Sequence, residues 1–242
     1  MWENVKTARM RVSLRDPLPV SPTLPQGLAH TSAMTWSGGA GDQPAVLLAH
    51  GAGTDMHSAL LQSLGPALAR HGHPVMVFNF PFTEAGKKAP DRMPRLESCF
   101  RDAIAVARKR FGTRPLVLGG RSMGGRVASH LAAQGQDCAG LVFLGYPLHP
   151  AQRVGTAIPP QSLRTSHWPD IRVPTLFVQG DRDALADLAV LRRERKRLPA
   201  ASSTLHVVDG ADHGFALRKR DGRGADEVTT EIAQVITDWL AA

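Results

Sequence analysis

Residues 116–128 read LVLGGRSMGGRVA and carry the most informative pattern in the chain. A short apolar run leads into Gly-x-Ser-x-Gly, centred on Ser122, and a small-residue stretch that suits a helix follows it. A serine on a sharp turn between a strand and a helix is typical of a nucleophile elbow. In such a turn a side chain at Gly120 or Gly124 would collide with neighbouring backbone. The stretch therefore predicts that Ser122 is a nucleophile, activated by a histidine.

Apolar runs alternate with helical patterns on both sides of this stretch. Six runs predict strands buried on both faces, at residues 46–49, 75–78, 116–118, 141–144, 175–178 and 205–208. Amphipathic spacing predicts helices over residues 58–70, 96–107, 126–133, 186–197 and 226–240. Such alternation is typical of a doubly wound α/β fold with a mostly parallel sheet.

The remaining segments complete the predicted organisation. Within residues 1–40, the stretches 5–14 and 31–36 predict two antiparallel edge strands, separated by a proline-rich segment. The proline-rich stretch 147–174 predicts a short loop cover, not a large lid domain. Because 242 residues at 43% hydrophobic content can bury one substantial core, we predict that residues 1–242 form a single α/β domain.

The formal net charge of +8 favours anionic substrates, nucleic acid or acidic partners, without choosing among them. The most basic run, residues 192–197, falls on a predicted helix, and no aromatic residues accompany it for stacking on bases. We therefore interpret this run as a solvated helix face and predict that nucleic acid is not a partner.

The sequence gives no sign of export or of membrane insertion. Residues 1–15 contain no continuous apolar segment, and no run approaches the roughly 20 apolar residues that a membrane-spanning helix needs. Cys99 and Cys138 lie far apart without CxxC spacing, so neither a disulfide framework nor a zinc site is predicted. We therefore expect a cytoplasmic protein without a membrane or metal partner. Homo-oligomerisation stays open.

A base and an acid follow two later strands. In doubly wound sheets ligands bind beyond the carboxyl ends of the strands, and Ser122, Asp183 and His213 all follow such ends. The chain order Ser, Asp, His is the order that this kind of nucleophile turn predicts. Ser122 would attack an acyl carbonyl, His213 would transfer the proton, and the aspartate would orient the imidazole. Asp183 is preferred for the acid, and Asp181 stays an alternative.

Two backbone amides are candidates for the oxyanion hole. Met123 follows the nucleophile at a helix N-terminus, where the peptide dipoles favour negative charge. Ala52 lies in the loop His50-Gly51-Ala52-Gly53 after the first predicted parallel strand, where small residues let the backbone approach a substrate.

Four further side chains are predicted near the same edge of the sheet and are candidates for substrate contact: His50, Arg121, Tyr146 and His149. For the two histidines and the tyrosine the competing interpretation is packing or satisfaction of loop backbone. For Arg121 two roles stay open, namely a bidentate clamp on a substrate carboxylate and a structural ion pair with a neighbouring aspartate.

Residues 46–215 as a whole resemble the dienelactone-hydrolase-like branch of the α/β-hydrolase superfamily. Within it, the chain is similar to a small group that includes bacterial α/β-family hydrolases and the hydrolase-like subunit of the animal non-specific lethal chromatin complex. The segments that carry the resemblance are LAHGAG at 48–53, FNFPF at 78–82, KAPDR at 88–92, GGRSMGGR at 119–126, GYPLHP at 145–150 and VQG at 178–180.

This resemblance implies an α/β-hydrolase fold, a triad of Ser122, Asp183 and His213, an oxyanion hole at Ala52 and Met123, and no cofactor. Dienelactone hydrolases carry a cysteine nucleophile where this chain has Ser122. We expect a serine hydrolase that cleaves a small-molecule carboxylic ester or thioester through an acyl-enzyme intermediate. The alternative is a catalytically quiet protein that uses the same fold as an interaction module, as the resemblance to the chromatin subunit allows.

Overall fold

A computed structural model describes residues 18–20, 32–39, 41–151, 157–199 and 203–242. These ranges contain eight strands. In chain order they are β1 Leu18–Val20, β2 Ala33–Trp36, β3 Ala45–Ala49, β4 Val75–Phe78, β5 Leu116–Arg121, β6 Gly140–Leu144, β7 Thr175–Gly180 and β8 Ser203–Val208. They form one sheet in the order β1-β2-β4-β3-β5-β6-β7-β8. β3 to β8 are parallel, whereas β2 runs antiparallel to both β1 and β4.

Helices connect the parallel strands and cover both faces of the sheet. They are α1 Ala59–Arg70, α2 Pro81–Glu84, α3 Met93–Phe111, α4 Met123–Ala133, α5 Leu188–Glu194 and α6 Ala225–Ala241. Short 3-10 turns lie at Pro160–Ser162, Trp168–Asp170, Arg195–Arg197 and Lys219–Asp221. The predicted α/β fold with a doubly wound, mostly parallel sheet is therefore confirmed.

Successive side chains along the central strands point to opposite faces of the sheet, and this alternation divides the core into two layers. In β3, Leu47 packs into the cluster that contains α3, α4 and α5, whereas Leu48 packs into the cluster that contains α1 and α6. Both side chains are fully buried, as a strand covered on both faces requires. β8 differs, because it lies at the edge of the sheet and most of its residues are only half-buried. The prediction that this strand is buried on both faces is wrong.

One of the two predicted N-terminal edge strands lies within the described residues. The stretch 31–36 contains β2, which joins the sheet beside β4. The other predicted strand, over residues 5–14, lies outside the described residues. A three-residue strand at Leu18–Val20, which the sequence did not predict, pairs with β2 instead.

The described part of the connection from β6 to β7, residues 145–151 and 157–174, packs back onto the sheet and forms no large lid. The indole of Trp168 is fully buried against the rings of Tyr146 and Phe177, with centroid separations of 5.2 and 5.3 Å. The backbone amide of Arg164 donates to the carbonyl of Leu148 at 2.9 Å. These contacts fit the short cover that the sequence predicts.

Candidate active site

Ser122 lies on a strained turn between β5 and α4. Its φ of 50° is in the left-handed region, which residues with a side chain rarely adopt. Its amide donates to the carbonyl of Leu144 at 2.9 Å, and this bond fixes the turn to β6. A Cβ at Gly120 or at Gly124 would lie 2.3 or 2.4 Å from the carbonyl oxygen of Ala49. The two glycines therefore let the turn press against β3, as the sequence predicts.

The imidazole of His213 reaches Ser122 from the loop after β8. Its Nε2 lies 2.8 Å from the serine Oγ, within hydrogen-bond distance. The loop is shaped by Asp212, whose Oδ1 accepts the amides of Gly214 at 2.7 Å and Ala216 at 2.9 Å. Phe215 completes the turn with a φ of 64°. These contacts hold the imidazole beside the serine hydroxyl.

Asp183 lies on the other side of the imidazole, in the turn after β7. Its Oδ2 is 2.7 Å from Nδ1 of His213, and its Oδ1 accepts the amide of Leu185 at 2.7 Å. The Asp183 side chain is completely buried, whereas Asp181 is exposed. The structure therefore brings Ser122, His213 and Asp183 into one hydrogen-bonded chain, and it leaves Asp181 outside that chain.

The two candidate oxyanion donors belong to segments that flank Ser122. A Cβ at Gly51, next to Ala52, would lie 3.3 Å from the Cβ of Ser122, so this loop approaches the nucleophile closely. Met123 is the first residue of α4. Within the ranges that the structure describes, neither the Ala52 nor the Met123 amide donates a hydrogen bond to the protein. Both donors are thus available to a ligand.

His50 has a structural position, and this corrects its predicted contact with substrate. The side chain is fully buried, its Nε2 accepts the amide of Phe80 at 3.0 Å, and its Nδ1 donates to the carbonyl of Gly51 at 2.8 Å. Burial lowers the pKa of His50, which agrees with a neutral imidazole that accepts at Nε2. Thr54 also donates to the Gly51 carbonyl, at 3.1 Å. Because the peptide is planar and trans, these two bonds direct the Ala52 amide the opposite way.

Tyr146 and His149 are also buried, so their predicted substrate contacts are corrected as well. The Tyr146 hydroxyl donates to the carbonyl of Arg164 at 2.9 Å and accepts from the Trp168 indole at 3.2 Å. The His149 ring bridges the carbonyl of Pro150 and the amide of Asp187. Both side chains fasten the segment after β6 to its neighbours.

Arg121, the fourth of these candidates, remains beside Ser122, and its guanidinium has no hydrogen-bond or ion-pair partner among the residues that the structure describes. Its Nη1 lies 3.1 Å from the position of a Cβ at Gly51, and its Nη2 lies 3.6 Å from the corresponding position at Gly214. The guanidinium thus spans the gap between the loop of Ala52 and the loop of His213. Burial lowers the pKa of Arg121, and the charges of Asp212 and Asp183 oppose that shift.

Sequence reasoning missed two residues that support the site. The side-chain amide of Gln179 donates to Oδ2 of Asp183, and Thr54 holds the Gly51 carbonyl. A polar residue at the end of the apolar run TLFVQG was the available signal for Gln179. Among the residues with described positions, no group of three or more His, Cys, Asp or Glu side chains could hold a metal ion. None of the described helices is long and apolar enough to cross a membrane.

Comparison with known proteins agrees with this architecture. A family model described as an alpha/beta hydrolase domain matches residues 42–241. A dienelactone hydrolase from Anabaena variabilis superposes with a TM-score of 0.71 at 18% identity, covering 94% of this chain and 98% of that one. An alpha-beta serine hydrolase homologue from Coxiella burnetii superposes with a TM-score of 0.67 at 18% identity, covering 89% of this chain and 94% of that one.

Curated relatives match a shorter region. Cutinase 2 from Thermobifida cellulosilytica is 28% identical over 154 residues, which amount to 62% of this chain and 53% of the cutinase. The chain therefore spans about half the length of that relative.

Proposed function

Because the chain belongs to the alpha/beta hydrolase domain family, we propose that it is a serine hydrolase that cleaves a carboxylic ester or thioester of a small to medium substrate. The observation that carries the proposal is the hydrogen-bonded chain from Ser122 Oγ through His213 to Asp183, with separations of 2.8 and 2.7 Å. The cutinase relative supports ester hydrolysis in general. The proposal assigns the activity to a single domain, since all eight described strands lie in one sheet.

In the first half of the reaction Ser122 Oγ attacks the acyl carbonyl while His213 Nε2 accepts the hydroxyl proton. Asp183 keeps the proton of the neutral imidazole on Nδ1, so that Nε2 is free to act as the base. The imidazolium that forms is stabilised by the buried carboxylate. It then returns the proton to the leaving alcohol or thiol, and an acyl-enzyme remains.

The negative charge on the tetrahedral intermediate requires fixed donors. The amides of Ala52 and Met123 are the donors that we assign to it, because both flank Ser122 and neither bonds to another group in the described ranges. Loss of one such donor typically costs about 3 to 4 kcal/mol of transition-state stabilisation. Water then repeats the sequence on the acyl-enzyme, with His213 again as the base.

These steps use only side chains and backbone of this chain, so the proposal requires no metal, cofactor or nucleic acid. Part of the basic run that suggested nucleic acid is engaged within the protein, because Arg193 and Arg197 form ion pairs with the buried Glu194. We also propose that the protein acts in the cytoplasm. Support comes from Cys138, which is buried as a free thiol, the state that a reducing compartment favours.

The test is rapid-mixing kinetics with 4-nitrophenyl esters of increasing acyl length. We expect a burst of nitrophenol stoichiometric with enzyme, followed by slower turnover, and loss of both in Ser122→Ala. Equal turnover by wild type and Ser122→Ala would remove the proposal. A folded wild-type protein that neither forms an acyl-enzyme nor turns over any ester would favour the interaction-module alternative.

A further inference from the structure

We propose that Arg121 is an anion-binding subsite beside the nucleophile and that the natural substrate is an ester or thioester bearing a carboxylate near its scissile bond. This inference rests on the proposed function and specifies its substrate class. It begins with position, because Arg121 precedes Ser122 directly, at the end of β5. A Cβ at Gly51 would lie 3.1 Å from Nη1 of Arg121 and 3.3 Å from the Ser122 Cβ, so the guanidinium and the nucleophile flank the same loop residue.

The guanidinium faces two loops of the site at once. Nη1 lies beside Gly51, which precedes the oxyanion donor Ala52, and Nη2 lies beside Gly214, which follows His213. A Cβ at Gly51 would lie 3.1 Å from Nη1, tighter than most carbon contacts. Glycine at this position therefore leaves the guanidinium room to lie beside the catalytic hydrogen-bonded chain.

The sequence left open a structural ion pair between Arg121 and a neighbouring aspartate. Asp183 and Asp212 are the acids whose charges act on Arg121, but neither forms an ion pair with it within 4 Å. The Asp183 oxygens are occupied by His213, Gln179 and the Leu185 amide. Asp212 Oδ1 accepts the amides of Gly214 and Ala216. Both acids therefore accept hydrogen bonds within the loops of the site, and their charges act on Arg121 without a direct ion pair.

The half-buried Arg121 guanidinium has lost part of its hydration, so a carboxylate that displaces its remaining water can form charge-assisted hydrogen bonds with it. Across the portions of the chain with described positions, the Arg121 guanidinium makes no hydrogen bond to protein. A planar guanidinium presents paired N–H donors that match the two oxygens of a carboxylate. The two nearby aspartates disfavour a dianion, so a singly charged carboxylate fits this position better than a phosphate monoester.

Two matched ester pairs test which side of the scissile bond carries the charge. On the acyl side, mono-4-nitrophenyl glutarate is compared with 4-nitrophenyl valerate. On the alcohol side, 4-(carboxymethyl)phenyl acetate is compared with 4-ethylphenyl acetate. The readout is the ratio of kcat/KM for the anionic ester to kcat/KM for the neutral ester, corrected for spontaneous hydrolysis.

In at least one pair we expect Arg121→Gln to lower this ratio by about tenfold to a hundredfold, as loss of a charge-assisted hydrogen bond predicts. Arg121→Lys should give an intermediate ratio because it keeps the charge but loses the paired donors. Arg192→Gln is the matched control, since Arg192 is exposed on α5 and its replacement removes the same charge. It should change the ratio by less than about twofold.

A measurement on wild type alone avoids dependence on the folding of a variant. Glutarate should inhibit hydrolysis of 4-nitrophenyl valerate competitively, whereas 1,5-pentanediol should not. The subsite is overturned if glutarate and the diol behave alike, if Arg121→Gln leaves both ratios unchanged, or if Arg192→Gln lowers them as much. A wild-type protein that hydrolyses none of the four esters and is not labelled by a fluorophosphonate would overturn the proposed function, and the subsite with it.

Discussion

The replacement Asp183→Asn separates catalysis from architecture because it exchanges one carboxylate oxygen for an amide nitrogen of nearly the same size. In the wild type both oxygens act only as acceptors, Oδ1 from the Leu185 amide and Oδ2 from Gln179 and His213. An asparagine must turn its NH2 group towards one of these sets of donors. Either orientation therefore places one N–H group against another.

The two orientations have different costs. With the NH2 group towards His213, the imidazole proton moves to Nε2, where it blocks acceptance of the Ser122 proton. With the NH2 group towards Leu185, the half-buried Leu185 amide loses its acceptor, at a cost of at most about 1–3 kcal/mol in stability. Loss of tautomer control lowers turnover by about 10⁴ in serine proteases, equivalent to about 5.5 kcal/mol of activation free energy. We expect Asp183→Asn to lower kcat by about that factor.

The assay is steady-state hydrolysis of a neutral nitrophenyl ester, with urea unfolding of each variant as a check on folding. Asp181→Asn is the control, because Asp181 is exposed, lies two residues away in the same turn and forms no ion pair in the described ranges. Its turnover should remain within about twofold of wild type. A large loss in Asp181→Asn together with a small loss in Asp183→Asn would refute the assignment of the acid.

Three further outcomes follow from the packing. Gly124→Ala places a Cβ 2.4 Å from the Ala49 carbonyl oxygen, so urea unfolding should show that the free energy of unfolding falls by about 1–3 kcal/mol. Gly39→Ala is the control, because the space around Gly39 is open and the free energy of unfolding should change little. Burial lowers the pKa of His167 to about 3, so the free energy of unfolding of the wild type should fall as the pH falls from about 6.5 towards 3. The fall should be smaller in His167→Asn, and equal slopes of unfolding free energy against pH would contradict this. Burial raises the pKa of the Cys138 thiol to about 11, so a disulfide reagent at about pH 8 should modify Cys138 only after unfolding, and rapid reaction of the folded protein would contradict its burial.

The sequence predicted the central strands well because each is a continuous apolar run between residues that break structure. β4, for example, occupies Val75–Phe78, which is the predicted run. Helix α2 was not predicted, since its four residues are too few to show a helical period. The position of β8 in the chain was predicted correctly but its burial was not, because the sequence pattern of a strand does not reveal whether the strand lies at the edge of a sheet.

Within the candidate site, chain order and the convergence of parallel strands were enough to select Ser122, Asp183 and His213 as neighbours. They were not enough to tell which residues at the same edge turn inwards. His50 is buried against Phe80 and Phe82, and the amide of Phe80, thirty positions along the chain, donates to its ring. Contacts of this kind depend on how the loops pack against one another, and local sequence patterns do not predict that packing.

The most direct measurement is peptide mapping after reaction with a fluorophosphonate, which reacts with activated serines. Cleavage after Arg121 and Arg126 isolates the peptide SMGGR, whose serine is Ser122. We expect the label to lie on this peptide, one per chain, and to disappear in Ser122→Ala. A label on another serine, or none on a folded chain, would contradict the claim that His213 and Asp183 activate Ser122.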